Sequence, residues 1–213
     1  MIIKILSVAI LISVGFSNNI DFSQRTIADS LPKNMPLIKK VFWGEDGLFR
    51  NTFVDPKSRM RELKIRRNML QLHQKLALFT LGCMAYQYNI GNRMLDNPNE
   101  YGEFKELHMN LGYTTFGTYM GTASLSIFSP PGMKYTNKKF SSNRLHRYLA
   151  LIHFTGMALQ PWLGYQTSVA GIEATNGIEG RAEDYNQLMD IHQVVGGITF
   201  TTYFLAFLTT LFK

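Results

Sequence analysis

Thiol chemistry is almost absent from this chain: 213 residues contain one cysteine, Cys83. An intrachain disulfide is therefore excluded, as are the paired-cysteine spacings of structural zinc sites and of covalent haem attachment. Cys83 lies inside an apolar stretch and reads as a small buried residue rather than a reactive thiol. Acidic residues are missing from four apolar stretches, 72–90, 107–128, 145–165 and 191–212. That excludes carboxylate-rich zinc or di-iron centres within them. No nucleic-acid motif accompanies the formal charge of +7. The basic residues flank apolar segments, which points to lipid headgroups or the acidic groups of a bound cofactor, and not to nucleic acid.

The mean hydropathy of −0.06 is that of a soluble protein, but the average hides the distribution. Polar residues crowd into the N-terminal third and the loops. Residues 1–17 have the form of a secretory signal peptide: Lys4, an apolar run from Ile5 to Phe16, and small residues Gly15 and Ser17 before a cleavage point. Residues 18–69 form a polar, then basic, arm. Within it Phe42, Trp43, Leu48 and Phe49 surround a Gly-containing turn and are expected at a membrane interface. Asp55-Pro56 marks a helix start that continues through the basic segment 57–69 into the first apolar stretch. Each of the four stretches approaches the ~20 residues that cross a bilayer. The second stops at Ser129-Pro130-Pro131-Gly132. Each is rich in small residues, and several carry polar groups such as Gln87, Thr115, His153 and Gln160. In lipid such groups need partners inside the bundle. The expected fold is an all-α, integral-membrane four-helix bundle over residues 70–213.

A short pattern opens each stretch: Leu72-His73-x-x-Leu76-Ala77, Leu107-His108-x-x-Leu111-Gly112, Leu145-His146-x-x-Leu149-Ala150 and Ile191-His192-x-x-Val195-Gly196. In a helix the fourth residue on lies one turn along the same face, so Ala77, Gly112, Ala150 and Gly196 leave room beside each imidazole. A flat macrocycle ligated by that imidazole needs such room. Antiparallel order puts His73 and His146 near one face of the membrane and His108 and His192 near the other. The pattern thus predicts two b-type haems, each ligated by two histidines. Arg67, Lys75, Arg144 and Arg147 are candidate partners for haem propionates. The remaining histidine, His153, is expected to pack rather than ligate. Four interfacial histidines that only hydrogen-bond between helices are the plain alternative, and the fourfold repeat weighs against it.

The stretch from His146-Arg147-Tyr148-Leu149-Ala150 to Gln160-Pro161-Trp162-Leu163-Gly164-Tyr165, with Ile191-His192-Gln193-Val194-Val195-Gly196, resembles the cytochrome b561 family, including its bacterial and DOMON-linked membrane domains. The resemblance covers about residues 70–213 and is looser in the first two stretches. It implies two b haems, the same ligand pairing, transmembrane electron transfer, and residence in a membrane, for a bacterial member the inner one. The family's flanking helices have no counterpart here unless residues 2–16 stay as an uncleaved anchor, and no ascorbate site can be placed by motif, so electron donor and acceptor do not carry over. A homodimer or a subunit of a larger respiratory complex is compatible with it. Two other readings are a haem-free assembly subunit and the cytochrome b subunit of a quinol-oxidising complex. Orientation signals conflict. Lys134, Lys138, Lys139 and Arg144 put the loop between the second and third stretches in the cytoplasm, whereas a cleaved signal puts that side outside.

Overall fold

The computed structural model describes residues 31–32, 34–53, 58–133, 135 and 141–211. The expected signal peptide and the Asp55-Pro56 helix start lie outside the described residues. Among those described, every regular element is helical: α1 (Leu37–Trp43), α2 (Leu48–Phe53), α3 (Arg59–Asp96), a short 3-10 turn (Pro98–Glu100), α4 (Tyr101–Phe128), α5 (Ser142–Thr175) and α6 (Arg181–Leu211). The basic segment runs into the first apolar stretch without a break, as α3 does from Arg59 onward. α4 ends at Phe128, where two consecutive prolines supply no N–H to continue a helix. Ser141 caps α5 by accepting from the Arg144 N–H, and the helix passes through Pro161 uninterrupted. Gly177 and Gly180, both at φ +78°, turn the chain between α5 and α6.

The all-helical expectation holds, but the four-span expectation is not met by length and composition. Among the described residues one helix, α6, is long and apolar enough to cross a membrane. α3, α4 and α5 have 38, 28 and 34 residues, so length does not hold them back. Their polar content does: residues such as Lys75, Gln87 and Asn89 in α3, the threonines of α4, and Arg147, His153 and Gln160 in α5 dilute the apolar windows.

Contacts divide the chain into two units. The first joins residues 1–79 to 119–137, and the second joins 80–118 to 138–213. The first is organised by the carbonyl groups at the end of α4. Every carbonyl from Ser126 to Gly132 accepts a hydrogen bond from a side chain. The Lys39 ammonium donates to Ser126 (3.0 Å), Ile127 (2.9 Å) and Ser129. The Trp43 indole donates to Phe128 (2.8 Å). Arg66 reaches Pro130 (2.6 Å), and Arg59 reaches Pro131 (2.8 Å) and Gly132 (2.9 Å). Cations suit this place, because a helix C-terminus presents the negative end of its dipole and unbonded carbonyls. Glu62, fully buried, offsets part of the charge by pairing with Arg59 (2.5 Å) and Arg50 (2.6 Å). Phe42 stacks on Phe49 (centroids 4.6 Å) and meets Phe128 edge-on (5.0 Å). The arm's aromatic rings thus face inward onto α4.

In the second unit a set of polar side chains is buried beside apolar ones such as Ile90, Met157 and Leu163. Thr80, Thr115, His153 and Thr199, each seven residues beyond a repeat histidine, are all 7% exposed or less. Thr115 and Thr199 satisfy their hydroxyls on the carbonyl one turn back, Leu111 (2.7 Å) and Val195 (2.6 Å). Meanwhile Tyr113, Tyr148, Leu151, Tyr165 and Val194 are more than 60% exposed. α5 and α6 touch most closely at Gly156, where an added Cβ would fall 1.9 Å from Thr199 Oγ1. That hydroxyl is already committed to Val195.

Two measurements check this fold. Gly156→Ala should destabilise the protein by about 1–3 kcal/mol, since the helices must part. Gly121→Ala, which meets nothing within 4 Å, should be neutral or stabilise by up to ~1 kcal/mol. Thermal unfolding in detergent distinguishes them. The second concerns Lys39, whose pKa is lowered to about 8 by burial and, secondarily, by the nearby Arg66 guanidinium. Below pH 8 both folded and unfolded states hold the proton, and stability carries the full cost of the buried charge. Between pH 8 and the unfolded value of 10.5 the unfolded state binds more protons, so stability should rise with pH, at most about 1.4 kcal/mol per unit. In Lys39→Met that rise should vanish.

Candidate functional site: paired histidines in a repeated glutamine–glycine setting

His108 on α4 and His192 on α6 face each other within the second unit. Their ring centroids lie 6.2 Å apart, with the ring planes at 66°. The Nδ1 atoms of both are buried and have no hydrogen-bond partner. Each ring rests against a glycine of the neighbouring helix. A Cβ at Gly91 would stand 3.3 Å from His108 Cε1, and one at Gly164 3.5 Å from His192 Cε1. Side chains there would push the imidazoles aside.

The same two helices hold the histidine backbones. Gln87 Nε2 donates to the His108 carbonyl (2.9 Å), and Gln160 Nε2 donates to the His192 carbonyl (3.0 Å). Each carbonyl belongs to the helix segment that Gly112 or Gly196 continues one turn later. The glutamine amides pass over those glycines: a Cβ would meet Gln87 Nε2 at 3.1 Å from Gly112 and Gln160 Nε2 at 3.3 Å from Gly196. The space beside Gly112 and Gly196, read from sequence as room for a macrocycle, is therefore lined by a glutamine amide. The glycines that flank the rings are Gly91 and Gly164.

His73 and His146 have a different setting, and it too is repeated. His73 Nδ1 lies 2.8 Å from the Thr122 carbonyl, and His146 Nδ1 lies 3.0 Å from the Ala206 carbonyl. A carbonyl can only accept, so Nδ1 carries the proton in both rings and Nε2 keeps its lone pair. That tautomer is the one a metal-ligating imidazole adopts when its other nitrogen is tied to a carbonyl. The spacing is regular. Gln87 and Gln160 follow His73 and His146 by fourteen residues, and Thr122 and Ala206 follow His108 and His192 by fourteen. One helix pair is thus a structural copy of the other.

Of the remaining expected site residues, Ala77 and Ala150 are half-buried in α3 and α5. Arg67 and Arg144 are half-buried, and Lys75 and Arg147 are exposed. The cations most deeply engaged are their neighbours Arg59 and Arg66, both spent on the carbonyls after α4. His153 is buried in ring contact with Tyr203 at 4.9 Å. Sequence reasoning noted Gln87 only as a polar residue in an apolar stretch, and Gln160 also as part of the Gln160-Pro161-Trp162-Leu163-Gly164 stretch that carries the family resemblance. The signal that marks them is the doubled Gln-x-x-x-Gly, fourteen residues after a histidine. Among the described residues no group of three or more His, Cys, Asp or Glu is placed to hold a metal ion. Any metal here would be held by two imidazoles and a further, non-protein set of donors.

If the glutamine bridges set helix register, Gln87→Leu and Gln160→Leu should each cost about 0.5–2 kcal/mol of stability, as for interhelical hydrogen bonds in apolar surroundings. Gly112→Leu expels the same amide, so Gln87→Leu combined with Gly112→Leu should cost less than the sum of the two. Strict additivity in such a cycle would mean that the amide and the glycine do not act together. Comparison of the chain with protein-family models, with curated proteins and with solved structures finds no match in any of the three.

Proposed function

We propose that this chain is a membrane-embedded, b561-like cytochrome that binds two b-type haems and carries electrons across the bilayer. The observation that supports this reading most is the His108–His192 pair. Two imidazoles bound through one nitrogen each to a single ion, at the ~2.0–2.1 Å usual for metal–imidazole bonds, hold their ring centres roughly 6 Å apart. The rings stand at 6.2 Å. Glycines rather than side chains flank them, which suits a flat group that would fill the plane between. For His73 and His146 the proposal rests on the sequence repeat alone. Bound haem would supply a one-electron ferric–ferrous couple. The chain's own contribution is to hold each imidazole's tautomer and height, and to present no acid or base for bond chemistry.

Membrane residence is supported by α6, which is long and apolar enough to span a bilayer, and by the large apolar side chains exposed along α5 and α6 while Thr167, Thr199 and His153 are buried. We read α3, α4 and α5 as spans alongside α6, with their polar side chains turned into the bundle. A haem-free assembly subunit is the second reading. The bonds from His73 and His146 to carbonyls on neighbouring helices favour it, since they stabilise helix contacts with no cofactor. It does not account for the glycine-flanked pair.

A pyridine haemochrome assay on protein from a haem-sufficient host separates the two. Two non-covalent haems per chain are expected, and His108→Ala and His192→Ala should share one spectral and redox phenotype. His73→Ala and His146→Ala should share another, and His153→Ala should retain both haems. Haem-free protein with intact helices would overturn the proposal.

A further inference from the structure

The short helices of the arm are amphipathic in an unexpected sense. On α1 the inward face carries Lys39 and Trp43, which bond to the carbonyls at the end of α4. The opposite face carries Leu37, Ile38 and Val41, exposed by 81%, 43% and 57%, and Leu48 at the start of α2 is 61% exposed. Residues 37, 38 and 41 share one side of a helix. No acid occurs within α1 or α2, and the acids of the turn between them, Glu45 and Asp46, are exposed beyond the helix end. The aromatic rings that ordinarily mark a membrane interface, Phe42 and Trp43, are here turned onto Phe49 and Phe128.

We infer that α1 and α2 lie on the bilayer at the level where α4 ends, with Leu37, Ile38, Val41 and Leu48 inserted at the boundary between headgroups and acyl chains. This rests on the reading of α4 as a membrane helix. Two further observations argue for lipid as the occupant. The apolar face belongs to an element bonded directly to that helix's end, which is where the interface must be. The carbonyls beside it, Ser126 to Gly132, are all capped by side chains. In water they would be hydrated without such provision, whereas near hydrocarbon an unbonded carbonyl costs several kcal/mol. Across α1, α2 and the turn between them the charges nearly balance: Lys39, Lys40 and Arg50 against Glu45 and Asp46. Insertion is therefore driven by apolar burial, not by attraction to anionic headgroups.

Nitroxide labels on single cysteines in the full chain carrying Cys83→Ser test this. The positions are Ile38→Cys, Val41→Cys, Lys40→Cys and, within α6, Ile198→Cys. After reconstitution into phosphatidylcholine vesicles, with and without phosphatidylglycerol, collision rates with oxygen and with a water-soluble nickel chelate are compared. The oxygen-to-nickel ratio should be several-fold higher at 38 and 41 than at 40, and should not change with phosphatidylglycerol. If 38 and 41 meet the chelate as readily as 40 while 198 is lipid-exposed, the arm does not dock on the bilayer and the inference fails alone. Protection of 38 and 41 from both reagents would also overturn it, in favour of a protein partner or a second copy. Exposure of 198 to the chelate would overturn the membrane reading and this inference with it.

Discussion

A glutamine amide bonded to the carbonyl of a histidine on the next helix is the contact on which the site depends. It occurs twice, at Gln87–His108 and Gln160–His192, at nearly equal length. An amide that reaches over a helix needs a residue without a side chain beneath it, hence Gly112 and Gly196. One turn further along the glutamine's own helix the imidazole needs the same concession, hence Gly91 and Gly164. In each helix pair one glutamine and two glycines hold the helices close and in one register; the rings of His108 and His192 then stand 6.2 Å apart between the two pairs. The two copies of this arrangement make the site quasi-symmetric, which is what a planar group with equivalent faces requires.

The end of α4 poses a related problem with a different solution. Two prolines stop the helix, and its last carbonyls lose their intrahelical donors. The arm supplies donors from outside: one lysine, one tryptophan and two arginines. Glu62 keeps so many cations in one buried place tolerable by neutralising a part of their charge. The arm is thus not a passive leader to the helices. Its polar face completes α4, and its apolar face is left over for something other than water.

The helices, the end at Phe128 and the four histidines were legible in the sequence, because long acid-free stretches, proline pairs and repeats are local signals. The start of α5 at Ser142 was not, since the apolar stretch begins only at Leu145, and His153, open in sequence between a haem contact and a packing role, is buried against Tyr203. Hydropathy does not tally the spans: three of the four stretches carry polar side chains that lower their averages, and where those side chains turn is not a property of the average. The packing of the arm's aromatics was not legible either. Phe42, Trp43 and Phe49 suit an interface by residue type, but their partner Phe128 is almost eighty residues away or more.

By itself the sequence determined the helical class, the spacing of the histidines and the lack of acidic residues in the four apolar stretches, since each is written in residue types and intervals along one chain. Only the tertiary structure decided which small residues flank the rings. Glycine at four residues past a histidine has the same sequence signature whether it faces a cofactor or a neighbouring side chain. The distinction depends on what the next helix brings to that height, and helix register is set by contacts between residues that no local pattern connects.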